Sequence, residues 1–201
     1  MKLTIAQLTV LVVYLLGRYR AVVRDKGDAF EMKVIAAVFG VAAFFGADVP
    51  TSDDFFTRYW TTLGPVIYAP RGVDSLSLHA RVIFHELTHV VQFWRDPVSF
   101  VSKYLTAKGR AELEAEAERG AIEVWWLLTG TLPARLDDLD ITRHGYNLDD
   151  GHATLTRDLL ESACTAVSRG ILSTDVGLSA LAWLRSHAPD AVVGAVHGSS
   201  V

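Results

Sequence analysis

The sequence predicts an α+β protein, mostly α: one domain with a short sheet beside a central helix and further helices at both ends. Three observations carry this. Apolar residues recur at helical spacing along most of the chain, with Asp, Ser or Thr ahead of such stretches and Gly or Pro behind them. Strand formers concentrate in residues 61–70, so the sheet is short. Residues 82–91, Val-Ile-Phe-His-Glu-Leu-Thr-His-Val-Val, set imidazoles and a carboxylate inside an apolar run, the pattern of a buried helix with one polar face turned to a cleft. A chain of 201 residues suits a single domain with a real core. It divides into an N-terminal helical pair at 1–48, a central core at 55–130 and C-terminal helices at 150–187.

Residues 3–16 are mostly apolar and are followed by Arg18, Arg20, Arg24 and Lys26. These 14 residues fall short of the ~20 that a membrane span needs. No small-residue cleavage site follows, as a signal peptide would require. A buried helix is therefore expected, with Thr4, Gln7, Tyr14 and Arg18 near a wetter side; a membrane-associated helix is the alternative. Asp25-Lys26-Gly27-Asp28 breaks it, and Asp28 is positioned to cap a second helix over 29–45. That helix is apolar or Gly throughout 34–47, which reads as a central core helix or half of a membrane-inserted hairpin.

A loop at 48–54 leads into a short helix at 55–60. Val66, Ile67 and Tyr68 are strand formers between Gly64-Pro65 and Pro70, which suit only an edge or a turn. Asp74 or Ser75 caps the long helix that runs to Trp94. Asp96-Pro97 starts the next, to about Lys108, with Gly109 as its stop. A glutamate-rich helix follows over 110–128, ended by Gly130, Thr131 and Pro133. The acidic stretch after it, with Asp137, Asp138, Asp140, Asp149 and Asp150, lacks calcium-loop spacing and is read as capping. Amphipathic helices over 150–169 and 173–186 are punctuated by Gly170.

The net charge is −4, with no basic patch and no aromatic nucleic-acid motif, so nucleic acid is not an expected partner. The single cysteine, Cys164, falls on the apolar stripe Leu160, Cys164, Val167, Ile171 and reads as a core thiol. A chain without an internal disulfide suits the cytoplasm, with membrane or virion association as alternatives.

The chemistry sits in His85-Glu86-Leu87-Thr88-His89. On a helix, i and i+4 share a face, so both imidazoles can address one metal ion. Glu86 stands one residue along, where it reaches a water on that metal without ligating it. Gln92 is i+3 from His89 and is expected either to line the cleft or to pack at its wall; His79, two turns above Glu86, is read as solvated. Glu112, Glu114, Glu116 and Glu118 alternate downstream. Glu114, Glu118 and Ala121 form one stripe and Glu112 and Glu116 another, and the first carries small residues that let a second helix come close.

H-E-x-x-H followed some 25 residues later by Glu114-x-x-Ala117-Glu118-x-x-Ala121 resembles the gluzincin branch of the zincin metallopeptidases. Within it the chain looks most like small bacterial and phage-borne minigluzincin-type domains. The membrane-bound CaaX-processing proteases are more distantly similar. The likeness covers residues 61–121 and implies a zincin-like fold. It implies one zinc per chain held by His85, His89 and Glu114, with Glu86 as general base. Glu118 stands where the family usually has Asp, as partner to a histidine; Glu116 is the competing third ligand. The family's use of the strand before the motif helix implies that Val66, Ile67 and Tyr68 pair with substrate. His144, Tyr146 and His152 are the candidate oxyanion donors. The implied activity is zinc-dependent hydrolysis of a peptide or protein. The alternatives are a non-catalytic zinc-stabilised module of a phage particle or secretion apparatus, and a membrane-associated protease.

Overall fold

The computed structural model describes residues 3–44, 51–133 and 150–193. The fold is α+β and mostly α. Helix α1 (Ile5–Arg18) opens on a capping box: Thr4 Oγ1 accepts from the Gln7 backbone N–H at 3.2 Å, and Gln7 Oε1 accepts from the Thr4 N–H at 3.0 Å. Thr4 and Gln7 start the helix and are exposed, on the wetter side expected of them together with Arg18. Leu8, Leu11, Val12 and Leu15 bury the opposite stripe.

After α1 come β1 (Val22–Asp25), α2 (Phe30–Phe44), α3 (Ser52–Thr57), β2 (Thr61–Leu63) and β3 (Val66–Ala69). The three strands form a sheet in the order β1-β3-β2, with β1 parallel and β2 antiparallel to β3. This corrects two expectations. Val66, Ile67 and Tyr68 belong to the central strand: Val22–Asp25 pairs along one side and Thr61–Leu63 along the other, so they offer no edge to a substrate. The Gly64-Pro65 turn marks the hairpin, but the strand that covers β3's second side comes from the segment after α1. The N-terminal helices are also not a pair. α1 packs on the main core against α4 and α8, while α2 packs on α3.

Nor is α2 a central core helix. It buries Met32 and Ala36 in a small cluster with Phe55, Phe56 and Tyr68, and leaves Phe30, Val34, Val38, Val41 and Phe44 exposed. No helix among the described residues is long and apolar enough to cross a membrane.

A 3₁₀ turn (Leu76–His79), with Ser75 at its N-cap, leads into α4 (Ala80–Arg95). Asp96 caps α5 (Pro97–Tyr104), with Pro97 in its first turn. Thr106 then caps α6 (Ala107–Thr129) through its side chain to Gly109 N. Gly109 therefore lies inside α6 rather than ending α5. A Cβ there would sit 2.3 Å from Lys103 O, so the tight α5–α6 corner requires glycine. α7 (Asp150–Ser168) and α8 (Asp175–His187) pack on α6, with a last 3₁₀ turn at Pro189–Ala191. Cys164 is half-buried beside the buried Leu160 and Val167, whereas Ile171 lies beyond the helix and is exposed.

The central contact is α4 on α6. Ala117 and Ala121 are fully buried in it, and a Cβ on Gly120 would meet Thr88 Oγ1 at 2.2 Å. Small residues at 117, 120 and 121 thus let the two backbones approach, which brings the histidines of α4 to the glutamates of α6. Further along α6, buried Glu123 accepts from Thr174 Oγ1 (2.6 Å), Thr174 N (3.0 Å), Ser173 N (2.9 Å) and Arg119 Nε (2.9 Å). That carboxylate pins the start of α8.

Candidate metal centre

Residues His85, His89 and Glu114 are buried and bring their ligand atoms within 4.8 Å of one another. Glu114 Oε2 stands 3.2 Å from His85 Nε2 and 3.3 Å from His89 Nε2. Four-coordinate zinc with bonds of about 2.0–2.1 Å holds neighbouring donor atoms about 3.3 Å apart, so the donor set fits that ion. Two imidazoles and a carboxylate are also its common ligands.

Each ligand is held from behind. His85 Nδ1–H donates to Glu118 Oε2 at 3.3 Å, and Glu118 Oε1 is in turn paired with Arg81, one turn before His85 on α4. His89 Nδ1–H donates to Gln92 Oε1 at 2.8 Å. The Gln92 amide donates to Leu113 O at 2.9 Å and Glu116 Oε2 at 3.2 Å. Both contacts fix the tautomer, leaving each Nε2 for the metal. Tyr104 Oη, from α5, donates to Glu114 Oε1 at 2.5 Å, so the carboxylate's other oxygen faces the imidazoles. Among the described residues no buried side-chain nitrogen or oxygen goes without a hydrogen bond.

Glu116 stands outside the donor set. Its carboxylate accepts from Gln92 and from Arg95 Nη1 at 2.9 Å, on the far side of Gln92 from the imidazoles. Glu114 and Glu118 are one turn apart and reach the histidines, whereas Glu116 leaves the helix on a different stripe and its carboxylate reaches only the last turn of α4, at Gln92 and Arg95.

Without an ion the site holds its charge internally. Burial by itself lowers the His89 pKa, but the Glu114 carboxylate outweighs it and lifts the imidazole to about 9. Burial pushes Glu114 up; His89 and His85 overcome that and hold its carboxyl well below the usual range. A metal entering this site therefore displaces a proton.

Glu86 is buried beside the ligands and contributes no atom to the donor set. Thr62 Oγ1, on β2, donates to Glu86 Oε2 at 2.6 Å. Its position, a rotation of about 100° from His85 around α4, is the one expected for a base rather than a ligand. His79 precedes α4 and lies against the Trp60 ring, 5.6 Å between centroids. Of the expected oxyanion donors, His144 and Tyr146 lie outside the described residues. His152 is in the first turn of α7, half-buried.

Tyr104, Arg81 and Thr62 were missed by sequence reasoning. Arg81 had a local signal, being i−4 from His85. Tyr104 and Thr62 had none, because a separate helix and a strand bring them in. No family model, curated protein or solved structure matches this chain.

Proposed function

We propose that the chain is a zinc-dependent peptidase of the gluzincin type, acting on peptides or unfolded protein. One observation carries the reading: His85 Nε2, His89 Nε2 and Glu114 Oε2 converge, while buried Glu86 stands beside them and outside the set. A structural zinc site closes with four protein ligands. Three converge here among the described residues, which favours a site with an open position.

Bound zinc supplies a Lewis acid that draws the pKa of water toward ~7 and polarises a carbonyl oxygen. Glu86 then acts as general base, taking the proton of the attacking water and delivering it to the leaving amine nitrogen. Glu118 and Gln92 hold the two imidazoles in the ligating tautomer, and Tyr104 holds Glu114. Substrate recognition falls to β2 instead of β3. β2 is one of the sheet's two edges and the one that carries the Thr62 contact to α4, so an extended peptide pairing there would run past Glu86.

The test compares wild type with Glu86→Gln on casein-like and peptide substrates at matched zinc occupancy. Glutamine keeps the shape and cannot take a proton. The expected result is intact zinc and fold with turnover reduced about 10²–10⁴-fold or more. Equal turnover in both forms removes Glu86 from the mechanism. Zinc binding with no turnover by wild type on a broad panel makes the site a structural one.

A further inference from the structure

We propose that Thr62 is a positioning residue for Glu86 and that buried Lys26 anchors it, so that the segment joining β1 to α2 is part of the active site. The inference rests on the peptidase reading for its consequence, but its geometry stands apart from it.

A glutamate on a helix has three side-chain torsions and no intrinsic reason to keep one rotamer. Here Thr62 Oγ1 bonds one carboxylate oxygen, Oε2, at 2.6 Å. That selects one orientation and leaves Oε1 for a water proton. The quality of this contact depends on where β2 sits. β2 has three residues and one hydrogen-bonded neighbour, β3, so its own ladder holds it weakly.

Lys26 supplies the missing constraint. Side chains alternate across a strand, so Thr61 faces away from Thr62. Thr61 Oγ1 accepts from Lys26 Nζ at 2.7 Å. The same ammonium donates to Tyr59 O at 2.6 Å and Phe55 O at 3.1 Å, and lies 4.0 Å from the Phe55 ring centroid. One fully buried cation thus ties together the end of α3, the lead into β2 and β2's first residue. Lys26 is fixed in turn by its backbone, whose N–H donates to Ala69 O at 2.9 Å in continuation of the β1–β3 ladder. The negative charge of Glu86 also reaches the Lys26 ammonium, so the two ends of the brace attract. Burying an ammonium is costly without compensation. All three of its donors are used on the segment that carries Thr62.

Three variants test this: Thr62→Val, Thr62→Ser and Lys26→Met. In the metal-free protein, three-bond side-chain couplings report the Glu86 rotamer, a readout that needs neither zinc nor turnover. The wild type and Thr62→Ser are expected to show one rotamer, and Thr62→Val an average. In the zinc-loaded protein, Thr62→Val is expected to lower kcat by about 10²-fold, the size of effect a misplaced group produces, with KM and zinc content nearly unchanged. Thr62→Ser restores most of that loss, and Lys26→Met gives a smaller fall in kcat. A single Glu86 rotamer in Thr62→Val overturns the proposal, as does wild-type kcat in that variant. Wild-type kcat in Lys26→Met removes the anchor. Failure of the wild type to turn over any substrate is a different result. It strikes the peptidase reading and leaves the rotamer comparison to decide this one.

Discussion

Helices α6 and α2 invert the expectation that hydrophobic content marks the core. α6 carries four alternating glutamates and is deeply buried, with Glu114, Glu118 and Glu123 all inside. α2 has no charge after Lys33, yet Phe30 is 77% and Phe44 85% exposed. The difference lies in what each helix meets. α6 has small residues where α4 crosses it, and its buried carboxylates each find donors: His85, His89 and Tyr104 for Glu114, Arg81 and His85 for Glu118, and Arg119 with the start of α8 for Glu123. Among the described residues, α2 buries Met32 and Ala36 on one side, against Phe55, Phe56 and Tyr68. Burial follows complementarity of shape and charge, with apolar content as one contributor.

The contrast breaks hardest at Glu123. Glu123→Ala strips the donors at Ser173, Thr174 and Arg119 of their acceptor, and should destabilise by about 3 kcal/mol. Urea unfolding measures it; a loss below about 1 kcal/mol would mean that α8 is held by apolar packing alone. Gly120→Ala comes next. Its new methyl meets the Thr88 side-chain hydroxyl, so Thr88 must give up its bond to Phe84 O or α4 and α6 must separate, at about 2 kcal/mol and with weaker zinc retention. Wild-type stability and zinc content in that variant would show the interface to be looser than described.

Lys26 sharpens the comparison by pH. Burial lowers its pKa from 10.5 to about 8, with Glu86 acting in the other direction. Between these values the unfolded chain holds a proton that the folded chain has released, so the lysine's contribution to stability rises with pH through that window. Tyr68, pushed up to about 12 first by burial and then by Glu31, works in the opposite sense above its ordinary value of 10. The difference in unfolding free energy between wild type and Lys26→Met cancels the tyrosine and should climb from pH 8 to 10; a flat difference would contradict the burial of a charged ammonium. The smallest effect belongs to α2. Val38→Ser and Val41→Ser, on its exposed face, should change stability by no more than about 0.5 kcal/mol. A larger loss would show that the face is covered in solution.

What was legible in the chain follows the range of each interaction. His85, Glu86 and His89 were readable because helix geometry alone sets their faces; the same 3.6-residue period put Glu114 and Glu116 on different stripes but left both open as third ligand. The helix caps at Asp96 and the mostly helical fold were readable for the same local reason. β1 was not. Its four residues include Arg24 and Asp25, so half of it carries charge, and only pairing with β3 makes it a strand. Missing β1 made β3 look like an edge. Thr62 reaches Glu86 across 24 positions and Lys26 reaches Tyr59 across 33, and no periodicity encodes such contacts. Gly109 was misread because a glycine stop and a glycine required by a tight corner look alike in sequence.

The central claim is that α4 and α6 build one metal centre from His85, His89 and Glu114. Elemental analysis of purified wild type, Glu114→Ala and Glu116→Ala tests it most directly. The expected result is about one zinc per chain in wild type and in Glu116→Ala, and loss of zinc in Glu114→Ala. Equal zinc in wild type and Glu114→Ala, or loss confined to Glu116→Ala, would contradict the assignment.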